Sequence, residues 1–284
     1  MATDNLQQQR FELKYIVRET VAVNVREFVR SHLEVDEFGA TRPNLSYPVH
    51  SLYLDSDQLD YYWQTINGNR NRYKLRIRYY DEKPESPVFF EIKRRMNDAI
   101  LKQRGAVRRE RVASLIAGHL PAPADLVKPA SAKDLGALQR FNQLMLENRA
   151  NPKAHVSYLR EAWISPQNNA VRITMDRDIC CESQPGIRFL TSMIRPTRVF
   201  DGQVVLELKF TGRFPDWFGE LVRLFGLVQC SAAKYADGVV LLGERRLTGP
   251  SFESPTEAQT MENLAARREF LKRAAAGTFN LSFA

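Results

Sequence analysis

The feature that most constrains the fold of this chain is a strict alternation of side chains at residues 70–80. Every even position from 70 to 78 is Lys or Arg, whereas the odd positions from 73 to 79 are Tyr, Leu, Ile and Tyr. Successive side chains point to opposite faces of a strand, so a strand here has one cationic face and one apolar face. A helix would spread the same cations around its circumference. The period of two therefore predicts a β-strand.

Similar alternation recurs along the chain, with helical spacing in between. Charged and apolar residues alternate near 10–15, 88–93, 101–104, 158–160, 171–176 and 205–210. Apolar residues at helical spacing predict helices at 19–33, 58–66, 133–148, 215–224 and 234–245. We expect an α+β fold, an antiparallel closed β-barrel with its apolar faces under helices and a cationic interior. The alternative is an open antiparallel sheet with a solvated charged face. We favour the barrel because the charged faces are mostly basic.

The positive charge of the chain is concentrated in one segment. Residues 70–111 contain fourteen Lys and Arg and six Asp and Glu, an excess equal to the whole net charge of +8. Such concentration indicates an anionic partner. Guanidinium groups bind phosphate oxygens in pairs and lysines add point charge. Because converging cations repel one another, we expect a triphosphate or a longer phosphate chain as the ligand. For the same reason, charge reversal at Arg76 or Arg78 is expected to abolish nucleotide binding without loss of thermal stability.

Composition and termini argue against several other classes. No apolar run approaches the roughly 18 residues of a membrane span, and the N-terminus has no signal region. Three cysteines without ligand spacing favour a reducing, cytoplasmic location. The strand cations have no aromatic platform on their face, so nucleic-acid binding is not expected. We expect one domain at residues 1–248 and a polar helical appendage at 249–284, whose twin-arginine-like stretch at 266–272 is coincidental because such signals act near an N-terminus.

Nine short motifs follow one another in order along the chain. They are Arg10-x-Glu12-x-Lys14-Tyr15, Ser51-Leu52-Tyr53-Leu54-Asp55, Lys74-x-Arg76-x-Arg78-x-Tyr80, Phe90-Glu91-Ile92-Lys93, Lys102-x-Arg104, Tyr158-x-Arg160, Arg172-x-Thr174-x-Asp176, Leu206-Glu207-Leu208-Lys209 and Lys234-Tyr235. Together they resemble the VTC domain, the polyphosphate polymerase domain of the vacuolar transporter chaperone family. That domain belongs to the triphosphate tunnel metalloenzymes, alongside the CYTH proteins.

Two positions depart from the patterns of these relatives. CYTH proteins begin with Glu-x-Glu-x-Lys, whereas Arg10 stands at the first position here, which favours the VTC branch over the hydrolases. Ala233 replaces the serine that VTC polymerases tend to place before the late lysine. The chain also lacks the family's regulatory SPX domain and a transmembrane domain, so the resemblance implies a stand-alone, prokaryotic type.

The resemblance implies an activity and a set of site residues. The expected enzyme is a phosphotransferase that moves the terminal phosphoryl group of ATP to a polyphosphate chain, with Mn²⁺ or Mg²⁺ as cofactor. The implied catalytic cations are Lys93, Arg160 and Lys209. The implied substrate-binding residues are Lys14, Lys74, Arg76, Arg78, Lys102, Arg104, Tyr158, Arg172 and Lys234. Glu207 and Glu12 are the implied metal ligands, although Glu207 beside Lys209, taken by itself, is better explained as an ion pair. Two alternatives stay open: a triphosphatase that transfers the phosphoryl group to water, and a non-catalytic polyphosphate- or nucleotide-binding module.

Overall fold

Ten antiparallel strands form one curved sheet in the computed structural model, which describes residues 10–97, 99–166 and 170–276. The strands are β1 (Arg10–Val17), β2 (Glu34–Val35), β3 (Ser46–Asp55), β4 (Asn71–Tyr79), β5 (Val88–Met96), β6 (Ala99–Val107), β7 (Asn151–Ile164), β8 (Val171–Ser183), β9 (Thr197–Arg198) and β10 (Val204–Thr211). Their order across the sheet is β2-β7-β3-β4-β5-β6-β1-β10-β8-β9, and β7 pairs additionally with β8.

The described residues form seven α-helices, which lie against this sheet or against one another. They are α1 (Glu19–Val29), α2 (Asp60–Ile66), α3 (Val112–Ile116), α4 (Ala132–Glu147), α5 (Asp216–Leu224), α6 (Lys234–Leu242) and α7 (Ala258–Ala275). The five helices expected from apolar spacing correspond to α1, α2, α4, α5 and α6. No helix in the described ranges has both the length and the apolar character needed to cross a bilayer.

The closed barrel expected from the sequence is wrong. The sheet curves far enough for β7 to pair with β8, but among the described residues β1 and β6 share a single residue pair, Arg10 with Ile100. By contrast, β1 and β10 share eight. The fold is therefore α+β with a large antiparallel sheet that is not closed. Closure needs matched stagger between distant strands, and local alternation carries no information about how β1 would meet β6.

The alternation at residues 70–80 separates the two faces of β4 as expected. The apolar side chains of Leu75, Ile77 and Tyr79 are fully buried in a cluster with Phe90 of β5 and Phe141 of α4. Each such side chain contributes about 1.5–3 kcal/mol by its burial. The opposite face of β4 carries the cations and is concave. Helix α4 packs on β5 and β6 in the same apolar cluster, and this packing holds the cationic face of β4 toward the interior of the curved sheet.

Helices also cover the rest of the sheet. Helices α1 and α5 bury the apolar faces of β1, β8 and β10 in a second cluster. Helix α6 packs on β7 and β8, where Val239 contributes to a third cluster. Helix α7 packs on α2 and α6 through Leu264, Leu271 and Ala274. The segment expected as a C-terminal appendage therefore makes contacts with the sheet-bound helices; its residues 277–284 lie outside the described ranges.

The contact between α6 and β8 predicts a strong effect of a single methyl group. A Cβ atom on Gly238 would lie 2.5 Å from the Sγ atom of Cys181. We expect Gly238→Ala to lower the free energy of unfolding by about 1–3 kcal/mol, because the buried helix must shift outward. Thermal unfolding followed by circular dichroism measures the effect. Gly136→Ala in α4 is the matched control: its Cβ would meet nothing within 4 Å, so a neutral or stabilising change of up to about 1 kcal/mol is expected there.

Candidate functional site

The concave face of the sheet encloses a cavity of about 1910 Å³. Seventeen Lys and Arg side chains and five Asp and Glu side chains of the described chain line it. All fourteen residues singled out from the sequence are among the lining residues, namely Glu12, Lys14, Lys74, Arg76, Arg78, Lys93, Lys102, Arg104, Tyr158, Arg160, Arg172, Glu207, Lys209 and Lys234. The structure thus brings together side chains from β1, β4, β5, β6, β7, β8, β10 and α6.

A buried glutamate organises the cations of β4 and β6. Glu91 is fully buried and lies in register between Arg76 of β4 and Arg104 of β6. Its carboxylate accepts a hydrogen bond from Nε of Arg76 at 2.8 Å and lies 2.7 Å from Nζ of Lys102. Arg78 approaches to 3.8 Å and Arg104 to 3.5 Å. Burial favours the neutral acid, but Arg78 and Arg76 outweigh it and hold the pKa of Glu91 well below its ordinary value. We call these five residues the Glu91 cluster.

A second group of charges lies where α6 meets β7, β8 and β10. Arg160 donates two hydrogen bonds to the carboxylate of Asp176, both at 2.7 Å. Nζ of Lys234, the first residue of α6, lies 2.7 Å from Asp176 and 3.1 Å from Glu207. Lys209 pairs with the other oxygen of Glu207. The cations lower the pKa of Glu207 well below its ordinary value against the opposing effect of burial, so the carboxylate is ionised.

Lys74 in the cavity wall has no ion-pair partner among the residues that the structure describes. Nζ of Lys74 makes no ion pair within 4.0 Å to a carboxylate in the described part of the chain, and its neighbours Lys14, Lys93 and Arg72 are cations. Desolvation, followed by repulsion from Lys14 and Lys93, lowers the pKa of Lys74 well below its ordinary value. In register, Lys74 faces Lys93, which faces Lys102. Lys93 and Lys102 of this row pair with Glu12 and Glu91, and an anion placed beside Lys74 would relieve the remaining repulsion.

The two carboxylates expected to bind metal face the same point of the cavity. Nζ of Lys14 lies 3.3 Å from Glu12 and 3.7 Å from Glu207, so both carboxylates border one cation position. Glu12 also pairs with Lys93 at 3.0 Å. No group of three or more His, Cys, Asp or Glu among the described residues is arranged to hold a metal ion. Because Mg²⁺ is commonly bound by one or two carboxylates together with substrate phosphates, this donor set fits a metal held mainly by phosphate oxygens.

Some residues of the site escaped sequence reasoning. Glu91 and Asp176 were visible on charged strand faces, but only the register shows that they are counter-ions buried beneath cations. Other cavity residues that the sequence did not single out lie in loops or in α7, where no strand periodicity marks them. They include Asp36, Phe38, Arg42, Asn263 and Arg267.

Helix α7 reaches the site through one ion pair. Arg267 donates hydrogen bonds to both carboxylate oxygens of Asp237, at 2.6 and 2.7 Å. Asp237 in turn accepts a hydrogen bond from the backbone N–H of Ala233 at 2.6 Å. Ala233 directly precedes Lys234, so α7 fixes the turn that carries this lysine into the charged cluster.

Comparison with known proteins identifies a family model, two curated proteins and a solved structure that are similar to this chain. A model of the VTC domain matches residues 9–242. Subunit 2 of the vacuolar transporter chaperone complex from Schizosaccharomyces pombe is 26% identical over 133 residues, covering 45% of this chain and 18% of that protein. Subunit 4 from the same organism is 23% identical over 274 residues, covering 83% of this chain and 37% of that protein. The chain thus spans well under half the length of either relative. A proposed adenylate cyclase from Bacillus halodurans aligns with a TM-score of 0.45 at 16% identity, over 80% of this chain and 94% of that one.

Proposed function

The chain belongs to the VTC domain family, and from that membership we propose that it is an ATP-dependent polyphosphate polymerase that requires a divalent metal ion. Family membership supports an enzyme acting on triphosphates, and the cavity supplies the chemistry for a polyanion. The observation that carries the proposal is the surplus of enclosed cations over carboxylates, above all the lysine row of Lys74, Lys93 and Lys102. A ligand of several negative charges would bind favourably along such a row, because the carboxylates of the cavity balance only part of its positive charge.

The proposed reaction needs positioning and charge more than protein nucleophiles. A terminal oxygen of the acceptor chain bonds to the γ-phosphorus of ATP. The bond from that phosphorus to the bridging β–γ oxygen breaks, and ADP leaves with the electron pair. Because the attacking oxygen is already anionic at neutral pH, no side chain has to remove a proton.

The cations of the cavity take two roles in this proposal. Lys93, Arg160 and Lys209 stabilise the charge that develops on the transferring group. The other cations, together with Tyr158, hold the donor and the acceptor phosphates in line. These are Lys14, Lys74, Arg76, Arg78, Lys102, Arg104, Arg172 and Lys234. Glu12 and Glu207 would hold Mn²⁺ or Mg²⁺ jointly with phosphate oxygens, and the ion supplies charge neutralisation when bound.

The test is the product formed from ATP. Purified protein is incubated with ATP and Mn²⁺, and in parallel with Mg²⁺, and the products are separated on a gel that resolves polyphosphate. We expect a polymer ladder from the wild type and from Arg188→Gln, an exposed cation outside the cavity. Lys234→Met is expected to give no ladder. Free phosphate without polymer would contradict the proposal in favour of a triphosphatase. Tight tripolyphosphate binding without any turnover would instead indicate a non-catalytic binding module.

The affinity for tripolyphosphate is expected to depend on pH through Lys102. Desolvation, opposed by Glu91 and reinforced by Arg78 and Arg76, lowers the pKa of Lys102 to about 7. Above pH 7 the ligand-free cavity therefore loses this charge, and a bound polyanion raises the pKa again. We expect affinity to fall as the pH rises through about 7, with proton uptake on binding at about pH 8.

Calorimetry in buffers of different ionisation enthalpy measures that uptake. Lys102→Met should remove it, whereas Lys128→Met, an exposed lysine outside the cavity, should leave it intact. Binding by the wild type without proton uptake would contradict the assignment.

A further inference from the structure

We propose that the two ends of the cavity bind different parts of the substrates: an aromatic end binds the nucleoside of the donor, and a basic end binds the polyphosphate chain. This inference rests on the proposed function, because it assigns an orientation to a nucleoside triphosphate in the same cavity. Four aromatic rings and three arginines carry it.

The aromatic end is a continuous row of rings along the cavity wall. Phe38, Tyr47, Tyr80 and Phe89 all line the cavity. Neighbouring ring centroids in this row lie 5.9, 6.4 and 5.9 Å apart. The row ends at Arg104, whose guanidinium lies 3.5 Å from the ring centre of Phe89. Since Arg104 belongs to the Glu91 cluster, the rings lead directly away from the cations proposed to hold triphosphate.

Phe38 is the ring that is open to a ligand. Its side chain is 62% exposed, whereas Tyr47 behind it is 9% exposed. Nucleobases stack on aromatic rings whatever their sequence or identity, because every base has a flat π-face. An exposed ring at the rim, edge-on to a buried one, offers such a face.

The loop that carries Phe38 is held in place by hydrogen bonds and close packing. The carboxylate of Asp36 accepts hydrogen bonds from the backbone N–H groups of Phe38 and Gly39, both at 3.1 Å. Its other oxygen accepts hydrogen bonds from the hydroxyl of Tyr47 at 3.1 Å and from Arg172 at 2.9 Å. A Cβ atom on Gly39 would lie 2.5 Å from the carbonyl oxygen of Leu45, so the loop is closely packed. Ordering the loop in advance lowers the entropy cost of stacking a base on Phe38.

The opposite end of the cavity is basic. Arg70, Arg72 and Arg95 line it, and Arg72 faces Arg95 in the register of β4 and β5. In the same ladder, Arg78 faces Phe89. The six residue steps from Arg72 to Arg78 span about 20 Å along the strand, so the two ends are well separated. A growing chain of phosphates needs cations along its path, and these arginines supply them.

The two ends together fix the direction of the donor. With the base on Phe38, the phosphates of the nucleotide extend past Arg104 and Arg78 toward the lysine row. The γ-phosphate then faces the basic end, where the acceptor chain lies. The reverse orientation would place the base among Arg70, Arg72 and Arg95, away from the row of rings.

Three probes test this assignment by calorimetry on the full chain without metal: adenylyl imidodiphosphate, tripolyphosphate and a polyphosphate of several tens of phosphates. For Phe38→Ala we expect the affinity for adenylyl imidodiphosphate, relative to that for tripolyphosphate, to fall about tenfold, as for the loss of one stacked base. Phe38→Trp should retain the ratio and Phe38→Leu should not, since leucine is apolar but not flat. Leu120→Ala, which removes an 82% exposed apolar side chain outside the cavity, is the control.

The basic end is tested by the affinity for long polyphosphate relative to that for tripolyphosphate. The double variant Arg72→Gln/Arg95→Gln should weaken long polyphosphate by about tenfold or more relative to tripolyphosphate, because two phosphate contacts are lost. An unchanged ratio in Phe38→Ala, or equal loss of all three probes in the double variant, would overturn the inference. Failure of the wild type to bind tripolyphosphate would instead overturn the proposed function, so the two failures are distinguishable.

Discussion

Glu91→Gln is expected to lower the midpoint of thermal unfolding of the ligand-free protein by about 10 °C. The carboxylate is fully buried, and its loss leaves Arg76, Arg78, Lys102 and Arg104 without their shared counter-ion. Removing one member of a buried ion pair typically costs about 3–5 kcal/mol, and each kcal/mol shifts the midpoint of a protein of this size by about 2–4 °C. Differential scanning fluorimetry or calorimetry measures the shift.

Tripolyphosphate provides the second half of this test. A bound polyanion replaces the missing negative charge, so it should raise the midpoint of Glu91→Gln by more than it raises that of the wild type. Glu85→Gln is the matched control, because Glu85 is exposed on the connection between β4 and β5. A wild-type midpoint for Glu91→Gln would show that Glu91 does not balance the wall.

Arg78→Glu is expected to reduce tripolyphosphate affinity by at least about 100-fold, since it removes a phosphate contact and adds a repelling charge. Arg78 is 5% exposed and donates a hydrogen bond from Nη2 to the hydroxyl of Tyr158 at 3.0 Å. The substitution also places a second carboxylate beside Glu91 in a buried site. We therefore expect a loss of stability of about 3 kcal/mol or more.

This stability effect is opposite to the one expected from the sequence alone. The alternation in the sequence shows only that one face of β4 carries cations. Reversing the charge of one of them would then relieve the repulsion among the others. The contacts show that Arg76 and Arg78 already have carboxylate and hydroxyl partners in Glu91, Tyr53 and Tyr158. Titration calorimetry and thermal unfolding separate the two expectations, with Arg188→Glu as an exposed control outside the cavity. Normal tripolyphosphate affinity in Arg78→Glu would remove this arginine from the site.

The parts of the fold that depend on local pattern were predictable. The period of two between residues 70 and 80 was enough to predict β4 and to place its cations on one face. Nine motifs in order were enough to indicate the family. Both signals lie within short segments, where side-chain direction follows directly from backbone geometry.

The parts that depend on distant pairing were not predictable. The sheet is not closed because β1 and β6 share a single residue pair among the described residues, and that depends on how two strands about ninety residues apart in the sequence approach each other. The role of Glu91 depends on the register that puts Arg76 and Arg104 on either side of it. Asp36 and Phe38 lie outside every segment for which the sequence predicts a strand or a helix, so nothing local showed that they form the rim of the cavity.

The counter-ions within the cavity wall determine whether the protein can fold before it binds its ligand. A cavity lined by cations alone could not assemble until a polyanion arrived, and the newly made chain would depend on its own substrate in order to mature. The balancing negative charge comes instead from four carboxylates of the chain itself, those of Glu91, Glu207, Glu12 and Asp176. The chain can therefore fold without a bound polyanion. When phosphate binds, it replaces some of the carboxylates as the partner of the cavity cations.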